Sequence, residues 1–280
     1  MNPDARIDLH LHSTASDGTL PPSGVVAAAL EAGLTLISLT DHDTAAGVPA
    51  AIEAARGTPL TVLPGIEVSA TWEKGEIHIL GYGVDPAHPA MVAHGAHAAT
   101  RRSARMEGMV ERLREQGIQV TMEEVEAVAG EDRESLARPH LARALVASGY
   151  VEHTWEAFDR YIGDQHPAFV PTNLVSVEEA LALIREAGGV SSWAHPPEDH
   201  MDALLPRMRR AGLDGLEVYR PRAPVERVRR FERRARTVGL VMTGGSDWHG
   251  PEGAELGLFH LESAQVAPFL QLLQDRSEGG

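Results

Sequence analysis

Six stretches of the chain bring side chains able to hold a cation to the end or middle of an apolar run. The first is Asp8-Leu9-His10-Leu11-His12-Ser13. Residues two apart in an extended strand share a face, so His10 and His12 converge at its C-terminal end. Alone, such a pair reads more readily as two surface histidines. The second stretch, Ser38 to Thr44, breaks off an apolar strand into Thr40-Asp41-His42-Asp43. That ending packs poorly but suits a ligand, His42, with Asp41 and Asp43 orienting ligands from behind. Asp17 precedes Gly18 and by itself reads as a turn residue. Glu67, between Ile66 and Val68, needs a partner once buried, and a cation supplies one. His78 lies between two isoleucines, where a lone histidine is more often hydrogen-bonded core. His195 ends the run Ser192-Trp193-Ala194, and Thr243-Gly244-Gly245-Ser246 leads into Asp247 and His249. Each has a bland reading, but five or more strands with the same ending do not. Together they imply a metal-dependent hydrolytic site assembled from residues scattered between Ile7 and Gly250.

Such a site needs strands that deliver their ends to one place. Alternation of strand and helix fills the first eighty residues: strands near 6–10, 34–39, 60–63, 67–70 and 76–82, helices near 22–32 and 45–55. Between about 85 and 169 the chain is rich in Ala, Glu and Arg, with helical spacing at 101–116, 122–129 and 139–148. Alternation resumes with helices at 177–187, 201–211, 224–238 and 264–275 and strands at 189–194, 215–219 and 240–243. The pattern predicts an α/β fold, a parallel sheet or barrel carrying its site at the strand C-termini. Residues 1–84 and 170–280 would form it, and 85–169 a helical insertion capping the site.

Composition narrows the chemistry. There is no cysteine among 280 residues, so a metal site must use His, Asp and Glu, which favours Mn, Fe, Zn or Mg. The net charge of −15 argues against duplex nucleic acid as a partner, although bound cations would reverse the potential inside one pocket. No run of 18 apolar residues and no secretory signal occurs, which points away from a membrane and to a cytoplasmic protein. The run Arg227, Arg229, Arg230, Arg233, Arg234 and Arg236 reads as a solvated helix face. Arg101, Arg102 and Arg105 read as ordinary helix surface. His88, His94, His97, His153, His166, His200 and His260 have no ligand context, and His140 is a weaker site candidate.

The ordered set His10-x-His12, Asp17, Thr40-Asp41-His42-Asp43, Pro64-Gly65-Ile66-Glu67, His78, His195-Pro196 and Ser246-Asp247-x-His249 resembles the PHP family, named for polymerase and histidinol phosphatase. The resemblance implies a distorted seven-stranded, TIM-like (βα) barrel with two or three divalent metals at its strand ends. It implies that His10, His12, Glu67 and Asp247 hold one metal. Glu67 would share a second with His78 and His249, and Asp17, His42 and His195 would hold a third. Many members have His where this chain has Asp17. Glu67, Asp247, His249 and His195 become the candidate catalytic residues around a hydroxide bridging two metals. Asp41 and Asp43 would support them.

Within the family the chain looks closest to the nucleoside 3′,5′-bisphosphate phosphatase branch, which includes enzymes that trim short RNA from its 5′ end. Ser13 to Gly18, Ile77 to Gly83, Arg138-Pro139-His140 and Asp214 to Tyr219 carry that likeness. Two basic residues common in that branch are absent: Thr172 follows Phe169-Val170-Pro171, and Glu198 lies shortly after His195-Pro196. Arg138, Arg220 and Arg222 are the candidates to hold phosphate in their stead. The implied substrate is a small phosphorylated nucleotide. The alternatives are histidinol phosphate or a sugar phosphate, or a non-catalytic PHP module.

Overall fold

The structure, a computed structural model, describes residues 5–72, 75–130 and 133–279. Three parallel strands open the chain: β1 (Arg6–Leu11), β2 (Leu36–Leu39) and β3 (Thr61–Trp72). β4 (Gly75–Tyr82) then runs antiparallel to β3, pairing from Trp72↔Gly75 to Gly65↔Tyr82. Only two residues separate these strands, too few for the helix that a parallel crossover needs. The short β5 (Val175–Ser176) pairs with β3. β6 (Val190–Trp193) pairs antiparallel with β4, and β7 (Gly215–Tyr219) and β8 (Val241–Gly244) continue in parallel. β9 (Leu261–Glu262) pairs antiparallel with β1.

The sheet order β8-β7-β6-β4-β3-β2-β1 curls into a nearly closed (βα)7 barrel. Closure comes just beyond β8, where Asp247 N donates to His10 O at 2.9 Å and His12 N to Trp248 O at 2.9 Å. Gly245 makes this possible: a Cβ there would lie 2.3 Å from that of His10. The sequence pattern split β3 at Pro64-Gly65, yet the strand is continuous. Gly65 lets the chain pass against β2, where a side chain would meet Ser38 Oγ at 2.4 Å. The Pro64 carbonyl is taken by Gly83 N at 2.8 Å.

Helices α1 (Pro22–Glu31) and α2 (Val48–Ala55) cover β1 and β2 through Val25, Val26, Ala29 and Ala51 packed on Leu11, Ile37 and Leu39. Among the described residues, four helices separate β4 from β5: α3 (Pro89–Glu115), α4 (Met122–Ala129), α5 (Arg138–Ala147) and α6 (Thr154–Ala157), the last running into a π-helical turn at Phe158–Ile162. They share an apolar cluster of Met106, Met109, Leu113, Val125, Leu141 and Leu145. After β5, α7 (Val177–Glu186), α8 (Met201–Ala211), α9 (Val225–Val238) and α10 (Ser263–Gly279) bring Ile184, Leu204, Phe231 and Phe269 onto the remaining strands. Helix α3 starts well before the expected 101. Part of its first half is buried through polar contacts of His94 and Arg102, which apolar periodicity does not register. Among the described residues, no helix is long and apolar enough to cross a membrane.

Candidate metal centre

Strand β1 points Asp8 and His10 to one face, and His12 follows just past its end; all three are fully buried. His10 Nδ1 lies 2.8 Å from Glu217 Oε1, on β7. The arrangement that puts the proton on Nδ1 leaves the Nε2 lone pair free to face the barrel axis. Glu217 Oε2 also accepts the His195 backbone N–H at 2.6 Å, so one carboxylate positions two histidines. Asp8 accepts from His10 N at 3.2 Å and Ser246 N at 2.8 Å, pinning the loop that carries Asp247. Burial pushes its carboxyl up to about 7.

β3 places Glu67 at the centre with no exposure. Its backbone locks to the segment after β2, with Glu67 N donating to Asp41 O at 3.1 Å and Asp43 N to Glu67 O at 2.8 Å. His42 is thereby set with Nδ1 3.1 Å from Glu67 Oε2. Asp41 accepts from Ser13 N, Ser13 Oγ and Ser16 Oγ, each at 2.7 Å, tying the His12 loop to the His42 loop. Asp43 takes Arg102 Nε at 3.0 Å and Nη2 at 2.6 Å, and Ser69 N at 2.8 Å. Its φ of 57° lies in the left-handed region that aspartate tolerates.

Because β4 runs against its neighbours, its early residues meet the others' C-terminal ends. His78 thus joins the cluster from inside a strand, with Nδ1 3.0 Å from Glu67 Oε1 and 3.2 Å from His195 Nε2. His195 Nε2 is also 3.0 Å from Glu67 Oε1. On the opposite side, Asp17 is buried 3.3 Å from His249 Nε2 and 3.8 Å from His42 Nε2. The His249 ring stacks on that of His12 with centroids 4.1 Å apart, and its Nδ1 is 2.9 Å from Asp247 O.

The donors fit a metal. His10 Nε2, His12 Nε2, His42 Nδ1 and Glu67 Oε2 are buried yet have no hydrogen-bond partner. Orphaned buried polar atoms are rare unless something else satisfies them. Glu67 Oε2 lies 3.2 Å from His10 Nε2 and 3.3 Å from His12 Nε2, and Asp247 Oδ1 lies 3.4 and 3.3 Å from the same two atoms. A tetrahedron built on metal–ligand bonds of about 2.0–2.1 Å has edges of about 3.3 Å. His12, Asp17, His42 and His249 form a second ligand group and His42, Glu67 and His78 a third.

Electrostatics agree. Burial alone would raise the Glu67 carboxyl, but the imidazoles of His10, His42 and His78 override it and hold it well below the ordinary range. Burial would lower His12, yet Asp247 and Glu67 raise it to about 10. Burial depresses His42 to about 3. Without cations, the cluster balances its carboxylates by retaining protons on some imidazoles, which is the charge a metal supplies instead.

A PHP-domain profile matches residues 8–100. The chain is 35% identical over 272 residues to the 3′,5′-nucleoside bisphosphate phosphatase of Chromobacterium violaceum, covering 92% of each chain. It is 34% identical to the 5′-3′ exoribonuclease Rnm of Escherichia coli, covering 87% of this chain and 85% of that one. The chain belongs to the PHP family. A solved Chromobacterium violaceum structure, described as an amidohydrolase with bound sulfate and no metal, superposes with a TM-score of 0.89 at 32% identity, covering 97% of each chain. With relatives named phosphatase and exoribonuclease, this PHP protein is a phosphoric ester hydrolase with a cluster able to bind metal.

The expected sharing of ligands is corrected in one respect. His195, not His249, stands beside Glu67 and His78, while His249, not His195, stands beside Asp17. The reason is closure: the loop after β8 joins β1, so His249 lands on the β1–β2 side. The reading of Arg102 as helix surface is also corrected, since it is buried against Asp43 and Ser69.

The candidate phosphate residues are dispersed. Arg220 Nη2 is 2.9 Å from Asp247 Oδ2, turning the other oxygen toward the histidines. Arg222, with φ 56°, lines a cleft of about 870 Å³ that opens on Asp17, Asp247 and His249. Arg143 and Phe158 form part of its other wall. Arg138 pairs with Asp164 and lies over the rings of Phe158 and Phe169. His140 Nδ1 accepts from Ala137 N at 2.9 Å, a role inside its own helix start. Glu198 pairs with Arg227 and Arg230, and Asp202 with Arg234, so the arginine face of α9 is partly ion-paired. Sequence reasoning missed Asp8, Glu217 and Arg143. Glu217 carried a usable signal, a carboxylate inside an apolar strand like Glu67. Arg143 carried none, since its contact with Asp17 O at 3.0 Å spans the fold.

Proposed function

We propose that the chain hydrolyses a phosphate ester of a small nucleotide, first the 3′-phosphate of nucleoside 3′,5′-bisphosphates and then short 5′-phosphorylated oligonucleotides. The observation that carries this is the convergence of orphaned His and Glu atoms on one point at the head of a cleft. The names of the Chromobacterium violaceum and Escherichia coli relatives, and the sulfate bound in the similar solved Chromobacterium violaceum structure, support a phosphate ester of a nucleotide as substrate.

His10, His12, Glu67 and Asp247 would hold one divalent ion; Glu67, His78 and His195 a second; Asp17, His42 and His249 a third, with Mn, Fe or Zn the best match to these ligands. Bound cations supply Lewis-acid charge and lower the pKa of water. The protein's own contribution is to fix them. Glu67 divides its two oxygens between the His10–His12 side and the His78–His195 side. Asp247 is oriented by Arg220, and Glu217 aligns His10 and His195. His249, at 35% side-chain exposure, and His195, at 26%, are more open than His42 and His78 and would meet an incoming ester first. The cleft walls of Phe158, Trp248 and Phe259 offer an apolar seat for a base. The excess of acidic residues suits a small substrate rather than duplex nucleic acid.

The test is phosphate release from a panel of nucleotides, sugar phosphates and histidinol phosphate in Mn²⁺, with elemental analysis of the purified protein. Turnover highest on nucleoside 3′,5′-bisphosphates is expected. Metal-loaded protein inert toward every nucleotide but active on another ester sinks the substrate assignment.

A further inference from the structure

We infer that His94 is a positioning residue for the metal centre: through Asp43 it fixes His42 among its carboxylate neighbours, so that α3 helps to shape the site. This rests on the metal-ligand reading above and not on the choice of substrate. His94 has no ligand context in the sequence, yet it is buried on α3 with Nε2 3.2 Å from Asp43 Oδ1. An ionised carboxylate only accepts, so the Nε2–H is the donor. Ser69 N donates to the same oxygen at 2.8 Å, and Arg102 Nε and Nη2 donate to Oδ2 at 3.0 and 2.6 Å. A carboxylate offers about four acceptor positions, and each of those on Asp43 is filled.

Support matters at Asp43 because of what it grips. Its backbone N donates to Glu67 O at 2.8 Å and its carboxylate holds Ser69 N, two residues further along β3. The residue after His42 is thereby fastened to the strand that carries Glu67. Its φ of 57° is a left-handed conformation, one that persists only when surrounding contacts hold it. His42 itself stands 3.1 Å from Glu67 Oε2 through Nδ1 and 3.8 Å from Asp17 Oδ2 through Nε2. Among the described residues it belongs to two ligand groups, one with Asp17 and His249 and one with Glu67 and His78. It is absent from the group of His10, His12, Glu67 and Asp247. A rotation of the 42–43 backbone would swing the imidazole away from both carboxylates and leave that last group in place.

Helix α3 is placed to resist that rotation. His94, Ala98 and Arg102, four residues apart, are buried along one face. The helix lies directly on the turn: a Cβ at Gly95 would stand 3.6 Å from Asp43 O, ordinary van der Waals contact. Further along, Met106, Met109 and Leu113 enter the apolar cluster shared with α4 and α5. One helix thus rests against the metal centre at one end and is anchored by its neighbours at the other. A histidine kept for packing alone would be replaceable by an apolar side chain of similar size, with no effect confined to the ligand groups that contain His42.

Calorimetric titration of the metal-stripped whole chain with Mn²⁺ tests this in wild type, His94→Leu, His94→Asn and His94→Gln. His97→Leu, exposed on the same helix, is the control. In His94→Leu at least one Mn²⁺ equivalent should weaken tenfold or more, while another stays within twofold of wild type. His94→Gln, whose side-chain amide can reach Asp43, should recover most of that loss, and His97→Leu should match wild type. His94→Asn, too short to reach Asp43, carries the loss arm if His94→Leu does not fold. Unchanged binding in the loss variant, equal weakening of every equivalent, or a glutamine variant as weak as the loss variant assigns His94 to packing and overturns the inference. Any of these, in a protein whose wild type takes up two or more equivalents, leaves the metal-ligand reading standing. Wild type that takes up fewer than two overturns that reading and the positioning role together.

Discussion

The floor of the site and the helices between β4 and β5 use charge in opposite ways. On the floor, the clustered side chains come from barrel strands or the loops just after them, and most are held by a further buried group: His10 and His195 by Glu217, the His12 and His42 loops by Asp41, the Asp247 loop by Asp8. On α3 and α5, Arg105, Arg138 and Arg143 are partly exposed, with one or two polar contacts each. Rigid, multiply supported donors suit a fixed chemical step, because ligand geometry sets metal affinity and reactivity. Lightly tethered arginines keep N–H groups free, so the two regions differ in how firmly the fold fixes their charges.

The sharpest break of this comparison is Glu67→Ala. Removing the carboxylate shared by both sides of the floor should abolish metal retention, read by elemental analysis, and bring phosphate release to background. A variant with normal metal content and full turnover would contradict the floor's assignment outright. Arg102→Met comes next. It leaves the buried Asp43 carboxylate without its main partner, a change that costs about 3–5 kcal/mol in comparable sites. A clear drop in the thermal midpoint should accompany weaker metal binding, since Asp43 adjoins His42. Glu217→Gln keeps the shape but weakens the orientation of His10 and His195, with an expected 10- to 100-fold loss in metal affinity or activity, about the size seen for such supporting groups.

A pH comparison sharpens the same contrast. In chelated protein His12 and His78 both titrate at about 10, raised against burial by their carboxylate neighbours. Groups with a folded pKa above the unfolded value contribute stability that is complete below about 6.5 and lost as pH rises toward 10. Thermal melts of chelated protein should therefore weaken over that window, and added Mn²⁺ should flatten the decline. No such decline would show that the floor is not balanced by imidazolium protons. The smallest effect is expected away from both regions: Arg234→Ala, removing a surface pair with Asp202, should change stability by no more than about 0.5–1 kcal/mol in a denaturant titration.

Much of the floor was legible in the sequence, because polar residues that terminate apolar strands violate packing unless something binds them. His10, His12, His42, His195, Asp247 and His249 betray themselves in this way, and Glu67 does so as a carboxylate between two apolar neighbours. His78 was harder, since it sits within a strand, and its inward placement depends on the reversal of β4. The helices between β4 and β5 were less legible. Arg102 resembles any helix-surface arginine until Asp43 is brought against it. The start of α3 was hidden for the same reason, its buried face being partly polar.

By itself, then, the chain determined the ligand types, their order and the α/β alternation that carries them, because these follow from local pattern and from the cost of burying polar groups. Which histidine stands next to which carboxylate was decided only by tertiary structure. The close approach of Gly245 to His10 brings the β8 loop onto β1, and that closure sends His249 to Asp17 and leaves His195 with Glu67. No spacing along a chain encodes that choice, because it is made by which strands become neighbours when the sheet curls shut.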